Sequence, residues 1–203
     1  MDAGRDRGSR RLVADAPMSE QATIVVDTNV LVNVATPVVD GRERAPSGED
    51  PLVAVLSTYD VQVPTSVLGE VSTAASDDDL LASAATAVLQ ASHHLTTHDV
   101  DAKSDDALGY GLDTGEAHGI WLANELSAAL FVTDEFSTTN YLLVSLALDD
   151  RDSLFTTPHL LCVLAANHIL SPQYVAGALT YYVETKGWDT QYIRQLRSQY
   201  LTD

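Results

Sequence analysis

The stretch Thr23-Ile24-Val25-Val26-Asp27-Thr28-Asn29-Val30-Leu31-Val32 decides how the rest of the chain is read. It begins as a short β-branched apolar run, the composition of a buried strand. An acid, a hydroxyl and an amide follow at once, and apolar residues then resume at helical spacing. In an open α/β sheet the carboxyl end of a central strand faces the crevice where ligands bind. Asp27 can therefore serve a site while Ile24 to Val26 stay in the core. It can equally N-cap the helix that follows, since Asp is a favoured cap residue. The stretch alone leaves both readings open, and acids at equivalent places downstream decide between them.

Working outward, the same device recurs. Ala128-Ala129-Leu130-Phe131-Val132-Thr133-Asp134-Glu135 is again an apolar strand ending in an acid. Between the two lie Val61-Gln62-Val63, an alternating strand closed by Pro64, and the segment Thr65 to Val71. There Thr65 or Ser66 can cap a helix whose apolar stripe is Val67, Leu68 and Val71, with Glu70 on its edge. An acid so placed is costly unless paired, solvated or holding a cation, and a capping-box role is the plain alternative. The block Leu112 to Leu126 reads as a helix opened by Asp113-x-x-Glu116, which also fits a capping box.

The remaining elements follow the same alternation. Val30 to Val34 begins a helix that Pro37 limits, and Val39 to Asp50 reads as a loop. Pro51 opens a helix, and Asp77-Asp78-Asp79 heads the helix Leu80 to Leu89, where acids suit the helix dipole. His93, His94 and His98 lie in a loop-like stretch, match no zinc spacing and read as surface residues. Thr138 to Leu148 is a helix and Ser153 to Thr156 a short strand. Leu160 to Ile169, Pro172 to Glu184 and Asp189 to Leu201 close the chain as helices. Trp121, Trp188, Tyr181 and Tyr182 read as packing residues. Strands alternating with such helices predict an α/β fold with a central parallel sheet of about 4–5 strands, flanked by helices and followed by extra C-terminal ones. Residues 1–20, with four arginines and no apolar period, are expected to be a disordered extension, and 21–203 a single domain.

Bulk properties narrow the function. The chain has 203 residues, 45% of them hydrophobic, which supports a real core. It contains no apolar run of membrane-spanning length and no secretory h-region, so a cytoplasmic protein is expected. One cysteine, Cys162, excludes a disulfide framework and a cysteine-based zinc ribbon. There is no Walker-type loop and no G-x-G-x-x-G. The formal charge is −18, with 29 acids, 21 of them Asp, against 11 Lys plus Arg. Lysine appears only at Lys103 and Lys186. An Asp-rich, Lys-poor surface on an ordinary core resembles the proteins of extreme halophiles, where molar salt screens self-repulsion. Charge then neither supports nor excludes an RNA partner.

Asp27, Glu70, Glu116 and Asp134 can meet at one sheet edge. Carboxylates crowded in a cleft repel one another, and a hard divalent cation relieves that conflict. Four motifs in order, Val25-Val26-Asp27-Thr28-Asn29-Val30-Leu31, Val63 to Glu70, Gly115-Glu116-Ala117 and Val132-Thr133-Asp134, resemble those of PIN-domain ribonucleases, over about residues 22 to 160. The resemblance implies a PIN-like fold and a Mg²⁺ or Mn²⁺ site on Asp27, Glu70, Glu116 and Asp134, with Asn29 and Thr133 as accompanying polar residues. It implies a metal-dependent endoribonuclease acting on RNA. Many members are VapC-type toxins, dimeric and held inactive by a small antitoxin. Glu116 departs from the Asp that many members carry, with Asp113 and Glu135 as substitute acids. A PIN-like module that binds RNA or protein without cleaving is the alternative.

Overall fold

The computed structural model describes residues 21–41, 48–100, 114–135 and 138–201. The expected N-terminal extension and Asp113 lie outside these residues.

Five strands form one all-parallel sheet: β1 (Ala22–Val26), β2 (Tyr59–Pro64), β3 (Thr96–His98), β4 (Leu130–Val132) and β5 (Leu154–Phe155), in the order β3-β2-β1-β4-β5. Nine α-helices are present among the described residues. They are α1 (Thr28–Asp40), α2 (Pro51–Thr58), α3 (Thr65–Ala74), α4 (Leu80–Gln90), α5 (Thr114–Glu125), α6 (Thr138–Ala147), α7 (Thr157–Ala166), α8 (Pro172–Lys186) and α9 (Thr190–Tyr200). The α/β class and the parallel sheet expected from the sequence are both present. No helix among the described residues is long and apolar enough to cross a membrane.

Side chains of β1 alternate between two cores, as strand geometry requires. Ile24 and Val26 enter the larger core, with residues of α1 to α4 and α7 to α9. Val25 points the other way, into a smaller core with Ile120, Leu122 and Ala123 of α5, Phe131 of β4, and Val144 of α6. Apolar residues on both faces of the central strand explain why its sequence is an unbroken hydrophobic run rather than an alternating one. At Gly119 helix α5 lies so close to β4 that a Cβ would stand 2.9 Å from the Phe131 ring. Gly187 ends α8 at φ +69°, a left-handed cap that glycine adopts without steric penalty.

Three expectations need correction. Pro37 does not limit the first helix: α1 runs through it to Asp40 and closes on Gly41. A proline there lacks the N–H that would bond the Asn33 carbonyl. The Tyr182 hydroxyl supplies that bond instead, at 2.9 Å. Neither Thr65 nor Ser66 caps α3, which starts after Pro64 without a side-chain cap. The Thr65 hydroxyl donates to the His98 carbonyl at 2.9 Å, tying the helix start to the sheet edge. Finally, the stretch around His98 is not loop but the edge strand β3, pairing with β2 from Gln62↔Thr96 to Pro64↔His98. His93 and His94 are exposed as expected, while His98 is half-buried with Nε2 2.7 Å from Gln62 Oε1.

Candidate functional site

The chain steps from β1 outward to β2 and β3, then returns to the other side of β1 for β4 and β5. The order therefore reverses between β1 and β4. In doubly wound sheets the crevice beyond the carboxyl ends at such a switch point is where ligands bind. Val26 pairs with Val132, so Asp27 and Thr133 leave the two strands side by side, with the Asp27 N–H bonded to the Val132 carbonyl at 3.1 Å.

Asp27 occupies the N-cap position of α1 but its side chain makes no cap bond. Its Oδ2 instead accepts the Thr133 hydroxyl at 3.0 Å. That hydroxyl also accepts the Glu135 N–H at 3.2 Å, so its one proton is directed at the acid. Burial pushes the Asp27 carboxyl up to about 6. The Thr133 hydroxyl and the Thr28 N–H counter that rise, and the charges of Asp134 and Glu135 add to it.

Asp134 is more firmly held. Its Oδ2 accepts from Asn33 Nδ2 at 2.7 Å and from the Thr157 hydroxyl at 2.6 Å, and its Oδ1 from the Thr157 N–H at 2.8 Å. Thr157 is the first residue of α7, so this acid sits at a helix N-terminus, where the dipole favours negative charge. Burial nevertheless raises its pKa, against the opposing pull of Thr157 and Asn33. Glu135, half-buried, receives Asn29 Nδ2 at 2.9 Å.

Glu70 and Glu116 are placed differently from each other. Glu70 is exposed on α3 but accepts the hydroxyl of Thr28, the residue after Asp27, at 2.5 Å. It thus faces the same edge of the sheet. Glu116 is buried in the first turn of α5, the helix that packs on β1, β2 and β4. Among the described residues no three His, Cys, Asp or Glu side chains stand together as a metal-holding group.

Sequence reading passed over Asn33, Thr28 and Thr157. Asn33 carried a usable signal: with Asn29 it puts two amides one turn apart on the side of α1 that meets the strand ends. Each amide donates to an acid after β4. Thr157 carried none, because its role arises only where α7 begins beside Asp134.

The result is a pair of neighbouring acids, one carboxyl raised to about 6, ringed by hydroxyl and amide oxygens and nitrogens. Such oxygen donors suit a hard cation such as Mg²⁺ or Mn²⁺ better than zinc. Compared with protein-family models, with curated proteins and with solved structures, the chain gives no match.

Proposed function

We propose that the protein is a PIN-like, metal-dependent endoribonuclease. The observation that carries the reading is the meeting of Asp27 and Asp134 at the β1–β4 switch point, with Asp27 turned away from a capping role and its charge destabilised by burial. A divalent cation is the natural counter-charge for two such acids. Asp27 and Asp134 would hold Mg²⁺ or Mn²⁺, and Glu70 and Glu116 would have to close on the ion, since no three acids stand together among the described residues. When bound, the ion would polarise a phosphoryl oxygen and lower the pKa of an attacking water. The protein's own residues orient the acids: Thr133 aims at Asp27, Asn33 and Thr157 fix Asp134, and Thr28 draws Glu70 to the crevice. RNA is the substrate in this reading, and a small antitoxin and a homodimer are the partners that accompany a toxin role in a cytoplasmic setting.

A second reading is a non-catalytic PIN-like module that binds RNA or a protein. It is favoured by Asp134, both of whose oxygens already accept hydrogen bonds within the chain. Titration of Mn²⁺ into the wild type and Asp27→Asn in molar KCl, with RNA cleavage followed in parallel, separates the two. Saturable binding and cleavage that both vanish in Asp27→Asn are expected. Binding without cleavage selects the non-catalytic module, and absence of binding removes the metal site from either reading.

A further inference from the structure

We propose that Tyr182 is a positioning residue for Asp134, acting through Asn33, so that helix α8 sets the geometry of the acidic crevice. Helix α8 lies outside the four sequence motifs, and no feature of residues 172 to 186 suggests a part in the site. The link begins with Pro37. Having no N–H, it leaves the Asn33 carbonyl without its helical partner in the interior of α1. Tyr182 has no solvent exposure, so its hydroxyl needs a partner as much as the carbonyl does. The two meet at 2.9 Å across α1 and α8.

Asn33 is thereby fixed at its backbone, and its side chain carries the constraint onward. Nδ2 donates to Asp134 Oδ2 at 2.7 Å, while Thr157 of α7 holds the same carboxylate from the other side. Asp134 is therefore clamped between an α1 amide indexed to α8 and the first residue of α7. A tyrosine serving only to fill the core would need its ring there, not its hydroxyl.

The functional consequence rests on the nuclease reading, whereas the hydrogen-bond chain itself exists in metal-free protein. Tyr182→Phe keeps the ring and removes the donor. Outer-shell partners of metal ligands are worth about 10–100-fold in metal affinity, so a loss of about tenfold in Mn²⁺ affinity is expected. That loss should shrink to near nothing when Tyr182→Phe is made in an Asn33→Ala background, because a double-mutant cycle isolates coupling between the two. An undiminished loss in that background, or a lowered melting temperature with unchanged Mn²⁺ affinity, would overturn the proposal. In metal-free protein, Tyr182→Phe should shift the Asn33 side-chain amide resonances and speed their exchange with solvent. Unmoved resonances would overturn it as well. Should the wild type bind no Mn²⁺, the nuclease reading falls, and the Asn33 amide still decides whether Tyr182 positions it.

Discussion

Asp27 and His159 pull the stability of the protein in opposite directions with pH. The Asp27 carboxyl titrates at about 6 in the folded chain against 3.8 ordinarily, so between these values the folded state binds the extra proton. Stability from this group is therefore lost as pH rises through that window, on the order of 2–3 kcal/mol. His159 stacks on Phe155 with ring centroids 3.9 Å apart, and its Nε2 lies 2.7 Å from the Tyr200 hydroxyl. Burial lowers it to about 4 from 6.5, so there the unfolded chain binds the proton and stability rises with pH. Urea midpoints of the wild type should change little between pH 4 and 6. Asp27→Asn should keep the Thr133 hydrogen bond through its carbonyl and lose the buried charge. We expect its midpoint to climb across that range and its unfolding free energy to exceed the wild type's by about 2 kcal/mol at pH 7, with any RNA cleavage abolished. A less stable Asp27→Asn at pH 7 would assign the acid a structural role. The sequence disclosed Asp27 and Asp134 because an acid ending an apolar run stands out in one dimension. Asn33 and Thr157 were harder to see, since their work is defined by what α1 and α7 happen to lie beside.

Among the elements, α5 is fitted to the sheet most tightly. An alanine at Gly119 would press its Cβ to 2.9 and 3.1 Å from ring atoms of Phe131, a residue 2% exposed and enclosed by the smaller core. Either the buried ring or α5 must shift to admit the methyl group, so Gly119→Ala should cost about 1–3 kcal/mol, read from chemical denaturation. Because α5 also carries Glu116 in its first turn, the same variant should weaken Mn²⁺ binding if that acid belongs to the site. Gly119→Ala with full stability would mean that α5 can slide over β4. The long amphipathic and apolar elements were legible from sequence, and so was the acidic head of α4, where Asp79 accepts the Ala82 N–H. What failed was local chemistry overruled from a distance. Pro37 reads as a stop because sequence cannot show the Tyr182 hydroxyl waiting for the orphaned carbonyl. The three residues of β3 are polar and two of them exposed, so only pairing with β2 marks them as strand.

At the scale of the whole molecule, the dominant quantity is the charge of −18. The like charges repel in the compact state, and salt screens them over about 10 Å at 0.1 M but about 3 Å at 1 M. The melting temperature should accordingly rise from 0.1 to 2 M KCl; a flat response would mean that surface repulsion costs little. The same charge bears on the RNA reading. A basic nucleic-acid binder loses affinity steeply with salt, because each phosphate it neutralises releases a counterion. Here the described face around Asp27 is acidic, and the chain offers two lysines and nine arginines in all, four of the arginines within residues 1–20. Few phosphates can be neutralised, while the acidic surface repels the strand at low salt. RNA affinity, measured by filter binding in Ca²⁺ to hold back cleavage, should therefore stay level or rise between 0.1 and 1 M KCl. A steep fall would locate the binding energy in a cationic segment instead. Repeating the titration on a chain lacking residues 1–20 would then decide whether those four arginines form it.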